Sequence, residues 1–356
     1  MKRISKNDPQ TTEHRPRSAY AAAGVDIDNK MKALDAIKRM VKRTSGKGVL
    51  SEIGMFGGLF ESPGTEKALV ASTDGVGTKL KVAAMAGRHD TIGQDIVNHC
   101  VNDILVQGAV PLFFMDYIGT SRFNPLVFKD VIAGLCKACR ENDCALLGGE
   151  TAEMPGLYPP GEYDLVGTIV GVVDKKQIIT GRDIVPTDVI IGLPSTGLHT
   201  NGYSLARKVI FETAGLKVDG RLAGTNGTVA DVLLAVHASY LKPIVALMKK
   251  IPIRGMAHIT GGGFQDNIPR ILPRNTVAVI DRGAWKVPAV FQFIRKHGKI
   301  DRDEMYRVFN MGIGYVIIVR KPDRDKTLAI LAKAGCHGVV IGHTEKGLSK
   351  GVSFLN

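Results

Sequence analysis

A two-domain α/β (α+β) protein is the fold this sequence predicts, and three observations carry the prediction. The chain has 356 residues, 44% hydrophobic and 23% charged, enough for two cores of ordinary size. From Ala68 onward, short apolar strand-like runs alternate with stretches of helical periodicity. Near residue 175 that alternation is interrupted by KKQIITGRDIVPTD (175–188), a connector rich in turn residues. We therefore expect a basic arm over 1–19, an amino-terminal domain over 20–175 and a carboxy-terminal domain over 176–356.

The elements follow in order. KALVASTDGVGTKL (67–80) begins as a buried strand and ends in a glycine-rich turn. DTIGQDIVNHCVNDILVQG (90–108) repeats apolar residues at helical spacing. PLFFMDYIGT (111–120) reads as a strand, NPLVFKDVIAGLCKACREN (124–142) as a helix, and CALLGGETAEMPG (144–156) as a short strand feeding a loop. YDLVGTIVGVVDK (163–175) is a strand rich in β-branched residues. After the connector, VIIGLPSTGLHTNGYSLARKVIFE (189–212) gives a strand, a polar loop and a helix. MAHITGGGFQDNIPRILP (256–273), TVAVIDRG (276–283), WKVPAVFQFIRKHG (285–298), MGIGYVIIVR (311–320) and a last helix–strand pair complete the second half.

Composition excludes several classes. Recurrent apolar segments rule out disorder over most of the length, and no apolar run approaches the roughly 20 residues a bilayer needs. Five cysteines, an odd number in a long chain, argue against a secreted disulfide framework. With no apolar leader at the amino terminus, a cytoplasmic protein is expected. The net charge is +13, but residues 1–50 hold 12 Lys/Arg against 5 Asp/Glu, so the excess is concentrated there. Without a recognition helix or an aromatic-studded RNA-binding strand, we expect no nucleic-acid partner, and no membrane partner either.

Several loops carry residue types suited to phosphate chemistry. In STDGVGTK (72–79), Asp74 could bind Mg²⁺, Gly75 and Gly77 let backbone amides approach phosphate oxygens, and Thr78 and Lys79 add a hydroxyl and a cation. Asp103 in VNDILVQG (101–108) is a carboxylate among Val, Ile and Leu, costly to bury unless paired or metal-bound. LLGGETAEMPG (146–156) sets Glu150 just past a strand end. Asp74, Asp103 and Glu150 together would make a carboxylate cage for Mg²⁺. The glycine-rich IGMFGGLFES (53–62), with Gly57 and Gly58, could close over a nucleotide. In STGLHTNGYS (195–204), His199 and Asn201 stand among hydroxyls. In HITGGGFQDNIP (258–269), Thr260, Gly261, Gly262 and Gly263 precede a helix-like segment suited to an anion, beside His258. An enzyme using Mg-ATP on a second phosphorylated compound is the reading these motifs support.

The strings AGVDID (23–28), TDGVGTKL (73–80), RHDTIGQD (88–95), VNDILVQGA (101–109), GGETAEMPG (148–156), NGYSL (201–205), HITGGGF (258–264), NIPRILP (267–273) and EMYRVFNMGIG (304–314) closely resemble the phosphoribosylformylglycinamidine cyclo-ligases of purine biosynthesis. The resemblance implies a homodimer whose amino-terminal domains pair their sheets, with ATP and Mg²⁺ on that domain. It implies nucleotide contacts at Asp74, Gly75, Gly77, Thr78, Lys79, Asp95 and the Gly57–Gly58 loop, and metal ligands at Asp74, Asp103 and Glu150. His199, Asn201, Thr260 and 261–263 resemble the substrate side. The implied reaction is ring closure of formylglycinamidine ribonucleotide, with Lys79, His258 and His199 the expected catalytic residues and His258 the first candidate for removing the amidine proton. Other enzymes of the superfamily are the alternative. A selenophosphate synthetase needs a reactive amino-terminal Cys or selenocysteine, whereas the first cysteine here is Cys100, and a thiamine-phosphate kinase reads GGDT where this chain has GGET.

Overall fold

The computed structural model describes residues 18–23, 48–52 and 55–355. Most of the expected basic arm, the AGVDID string after Ala23 and the helix-like MKALDAIKRMVKRT lie outside the described residues. A one-turn helix, α1 (Ala19–Ala22), is followed by a first sheet of β1 (Gly58–Glu61), β2 (Lys67–Gly75), β3 (Val110–Thr120), β4 (Ala145–Glu153) and β5 (Tyr163–Asp174). Its strand order is β1-β2-β5-β3-β4, with only β3 and β4 parallel. Helices α2 (Lys79–Ala86), α3 (Ile92–Leu105) and α4 (Pro125–Glu141) lie among these strands in the chain. Asn124 caps α4, its side chain accepting from the Leu126 and Val127 amides, and Pro125 opens the first turn where a missing N–H costs nothing.

The second sheet runs β11-β8-β10-β6-β9-β7. Its strands are β6 (Val189–Pro194), β7 (Gly255–His258), β8 (Thr276–Asp281), β9 (Ile313–Val319), β10 (Val339–Lys346) and β11 (Gly351–Leu355). All seven residues of β9 are buried, as its unbroken apolar sequence requires of a central strand. Around it are α5 (Tyr203–Arg207), α6 (Val229–Leu233), α7 (Leu241–Met248), α8 (Gly263–Asn267), α9 (Ala289–Gly298), α10 (Arg302–Val308) and α11 (Arg324–Lys333). Both sheets are mostly antiparallel, so the mixed class resolves to α+β.

Two local expectations are corrected. The segment read as a glycine-rich loop contains β1, whose Phe60 pairs with Leu69. Glu150 does not lie past a strand end, because β4 continues to Glu153.

Helix α3 positions the site. All fourteen of its residues are buried, since the first sheet covers one side and the carboxy-terminal half the other. A helix buried all round is normally apolar. Here Asp95, Asn98, His99, Asn102 and Asp103 fall at i, i+3, i+4, i+7 and i+8, a polar stripe on one face.

Candidate active site at the seam between the two sheets

The polar stripe of α3 is covered by residues 235–240 and by His258 at the end of β7. Asp95 Oδ1 accepts the His237 amide at 2.8 Å, and Asn98 Nδ2 donates to the His237 carbonyl at 2.7 Å. Asn102 donates to Ala238 O at 2.8 Å and accepts from the Tyr240 amide at 3.0 Å. Buried backbone groups outside a helix or sheet need such partners, and side chains of α3 supply them.

Four buried imidazoles meet there. His258 Nδ1 is 2.8 Å from Asp103 Oδ1, and its Nε2 is 3.0 Å from His237 Nε2. His237 Nδ1 lies 3.3 Å from Thr200 Oγ1, which is 2.8 Å from His99 Nδ1. His99 Nε2 reaches Asp74 Oδ2 at 2.9 Å and Asp103 Oδ2 at 3.7 Å. His199 stacks on His237 with ring centroids 3.9 Å apart and accepts the Thr196 amide at Nε2. Its backbone is left-handed (φ 60°), a costly conformation for a non-glycine residue, which the enclosing contacts hold in place.

The electrostatics separate these rings. Burial disfavours charge on His99, but Asp74 and Asp103 outweigh it and raise its pKa to about 9. Burial likewise acts to raise Asp74, and the His99 imidazolium overcomes it, holding the carboxyl at about 2. His199, His237 and His258 are all pushed below the ordinary imidazole value, chiefly by burial, and are neutral.

The predicted residues do not all converge. Asp74 lies at the seam with its side chain 45% exposed. Asp103 is buried, its oxygens accepting from His258 and from the Ser72 hydroxyl. Glu150 lies elsewhere. Asp74 pairs with Gly167, Gly167 with Asp116 and Asp116 with Gly149, so Gly149 shares Asp74's face and Glu150 points to the other. Three strand spacings, roughly 14 Å, also separate β2 from β4. The three-carboxylate cage is therefore absent within one chain.

Lys79 and Asp95, expected at the nucleotide, are engaged with each other in this arrangement. Both are fully buried, with Lys79 Nζ 2.7 Å from Asp95 Oδ2 and 2.8 Å from Ala235 O. Burial pushes Lys79 down and Asp95 up, and their ion pair opposes both shifts. They tie the first sheet's helices to the carboxy-terminal half and do not face open space. His258 and His199, expected as catalytic residues, are 0% and 1% exposed in this arrangement.

Gly77 and Gly261 are exposed, Gly75, Thr78, Asn201 and Thr260 partly so. Thr78 Oγ1 is 3.2 Å from Ser204 Oγ across the seam. Gly57 is packed on Gln107 and Val70, whereas Gly58 is exposed on β1. Gly262 and Gly263 are buried, and Gly263 has a positive φ with Tyr306 O only 1.9 Å from where a Cβ would stand. Chain packing already requires that glycine, and α8 behind it is just five residues long. Sequence reasoning missed His237, which has no local motif, and His99 and Thr200, although the polar stripe of α3 was a readable signal for His99. His199, His237 and His258, or His99, Asp103 and His258, have atoms close enough for a metal. The stacking of His199 on His237 keeps their lone pairs from converging, and hydrogen bonds already engage His237 and His258.

Comparison with known proteins places both halves of the chain in one family. Residues 54–173 match the family model "AIR synthase related protein, N-terminal domain", and residues 185–353 match "AIR synthase related protein, C-terminal domain". The chain is 48% identical over 331 residues to the phosphoribosylformylglycinamidine cyclo-ligase of Alkaliphilus oremlandii, covering 92% of this chain and 97% of that one. It is 50% identical to that of Thermodesulfovibrio yellowstonii, covering 92% and 96%. Among solved structures, thiamine monophosphate kinase from Aquifex aeolicus aligns with a TM-score of 0.64 at 12% identity, covering 93% and 98%. Thiamine-monophosphate kinase from Stenotrophomonas maltophilia aligns at 0.61 and 16%, covering 89% and 95%. At such low identity these two show the shared fold alone. Identity near one half across nine-tenths of the length, through both halves of the fold, shows that this chain belongs to the phosphoribosylformylglycinamidine cyclo-ligase family.

Proposed function

We infer that this protein closes the imidazole ring of formylglycinamidine ribonucleotide, using ATP and giving 5-aminoimidazole ribonucleotide, ADP and phosphate. The observation that carries this reading is the 48% identity to a named cyclo-ligase over 92% of the chain. An amide oxygen leaves poorly, so ATP first phosphorylates the formamide oxygen. The substrate's own amidine nitrogen then attacks that carbon and phosphate departs. Such chemistry needs positioning and charge neutralisation more than a protein nucleophile.

The open parts of the seam supply candidates. Asp74, oriented by His99, and the backbone of Gly75, Gly77 and Thr78 are proposed for the nucleotide. Asn201, Thr260 and Gly261 are proposed for the ribonucleotide. Gly261 lies close to Asn201, with 3.4 Å between Asn201 Oδ1 and a Cβ built on the glycine. We propose Mg²⁺ as the ion that accompanies ATP, held chiefly by the nucleotide's phosphates, with Asp74 the one predicted ligand open at the seam. The amino-terminal domain is proposed to span 20–175 and the carboxy-terminal domain 176–356.

A homodimer is proposed from the first sheet. The face turned away from α3 presents Phe60, Leu69, Val110, Phe113, Met115, Val170 and Val172, with Phe60 49% and Met115 37% exposed. Continuous apolar surface of this kind on an open sheet face marks an interface. Among the described residues no helix is long and apolar enough to cross a membrane, and we propose the cytoplasm as the site of action.

The testing experiment is turnover of formylglycinamidine ribonucleotide with Mg-ATP, scoring aminoimidazole and ADP together. Equal formation of both, dependent on the ribonucleotide, is expected. ADP without aminoimidazole would return the substrate assignment to the kinases of the superfamily.

A further inference from the structure

Residues 235–240 form no helix or strand, yet nearly every one is grasped by a side chain from outside the segment. Ala235 O accepts from Lys79, and Val236 O from the Thr196 hydroxyl. His237 is held at both backbone groups by Asp95 and Asn98, and Ala238 O and Tyr240 N both bond Asn102. Ser239 Oγ donates to Asn142, which in turn donates to Asn98. This seat places the His237 ring, itself 0% exposed, between His258 and Thr200.

The ring's hydrogen bonds have a determined direction. The Asp103 carboxylate can only accept, so neutral His258 donates through Nδ1 and leaves a lone pair on Nε2. The 3.0 Å contact then requires His237 to donate through Nε2. His237 Nδ1 is left to accept from the Thr200 hydroxyl, whose oxygen accepts from His99 Nδ1–H. Each ring nitrogen has one role, and reversing a link sets two buried donors or two buried acceptors against each other. Thr200 precedes Asn201, which is part of the open seam.

We propose that His237 is a positioning residue for cyclisation: seated on α3 by Asp95 and Asn98 and held in one tautomer by His258, it anchors the Thr200–Asn201 corner against the nucleotide side of the seam. The proposal rests on the cyclo-ligase reading. Its consequence is coupling between two chemical steps. If the corner is displaced, phosphoryl transfer continues but the amidine is poorly aimed. Water then attacks the phosphorylated intermediate, its bond to phosphate is broken, and the formamide is regenerated with release of inorganic phosphate.

The test uses the full chain with saturating Mg-ATP and ribonucleotide, measuring ADP and aminoimidazole in the same reaction for wild type, His237→Ala, His237→Gln and Asn98→Ala. His237→Ala is expected to lower aminoimidazole formation about 10²-fold, to leave the KM for ATP unchanged, and to make ADP in excess of aminoimidazole. The glutamine amide can donate to His258 and accept from Thr200, so His237→Gln should recover about tenfold of the loss and most of the coupling. Folded His237→Ala that turns over at the wild-type rate with equal products would overturn the proposal. A loss shared equally by Ala and Gln with products still equal would show a role in stability only, and overturn it as well. Should His237→Ala fail to fold, Asn98→Ala decides, since it frees the carbonyl side of the seat, together with the Asn142 bond, and leaves the ring's own partners in place: excess ADP supports the proposal and equal products at wild-type rate refute it. A wild type that makes no aminoimidazole overturns the function itself, which the other outcomes leave standing.

Discussion

Replacing Lys79 with methionine separates a nucleotide-binding lysine from a seam ion pair. The side chain is completely buried, its Nζ lying 2.7 Å from Asp95 Oδ2 and 2.8 Å from Ala235 O. Methionine keeps most of the stem volume, so a cavity contributes little. What remains is an uncompensated carboxylate in a dry site, which costs about 3–5 kcal/mol. Adding Asp95→Asn removes that charge while its side-chain oxygen still accepts the His237 amide. The double variant then lacks two hydrogen bonds relative to wild type, about 2 kcal/mol in all. Urea unfolding followed by circular dichroism should thus find Lys79→Met/Asp95→Asn more stable than Lys79→Met, and folded Lys79→Met should bind ATP with an unchanged KM. A Lys79→Met protein within about 1 kcal/mol of wild type but with a greatly raised KM for ATP would refute the ion-pair reasoning and restore Lys79 to the nucleotide.

Other expectations are as direct. Asp74→Ala should abolish ATP turnover while the protein remains folded, and wild-type turnover would remove Asp74 from the nucleotide side. Because the His99 pKa rises from 6.5 to about 9 on folding, its contribution is fully present below about pH 6.5 and lost as pH climbs towards 9. The upper bound is on the order of 3 kcal/mol, so the urea midpoint should fall over that window in wild type and stay level in His99→Gln. A level wild-type profile would contradict the pairing with Asp74. Gly263→Ala should destabilise by at least about 2 kcal/mol, from strain and overpacking against Tyr306, as thermal unfolding would show. Met115→Glu on the open sheet face should shift sedimentation from dimer to monomer, and an unchanged dimer would place the interface elsewhere.

Much of this molecule was legible in its residues because much of its order is local. Period-2 and helical patterning placed β2, β3, β5, α3 and α4, and the glycine-rich turn after Asp74 is a short-range feature. Family membership was legible for a similar reason, since its motifs are contiguous strings. Glu150 was misplaced because one residue of strand extension turns a side chain to the opposite face, and nothing in GGETAE says where the pairing stops. Lys79, Asp95 and His258 were assigned by residue type and neighbourhood, yet each is committed to a partner from another part of the chain.

The sequence alone determined most of the elements, the mixed α/β class and the family, because propensity, periodicity and motif act within a few residues. Only the tertiary structure decided which charged groups remain available. The contacts that occupy Lys79, orient His258 and hold His99 charged span 156, 155 and 25 residues of chain. Burial and the partner's charge, both products of packing, set the state of each group, and neither is written in the local pattern.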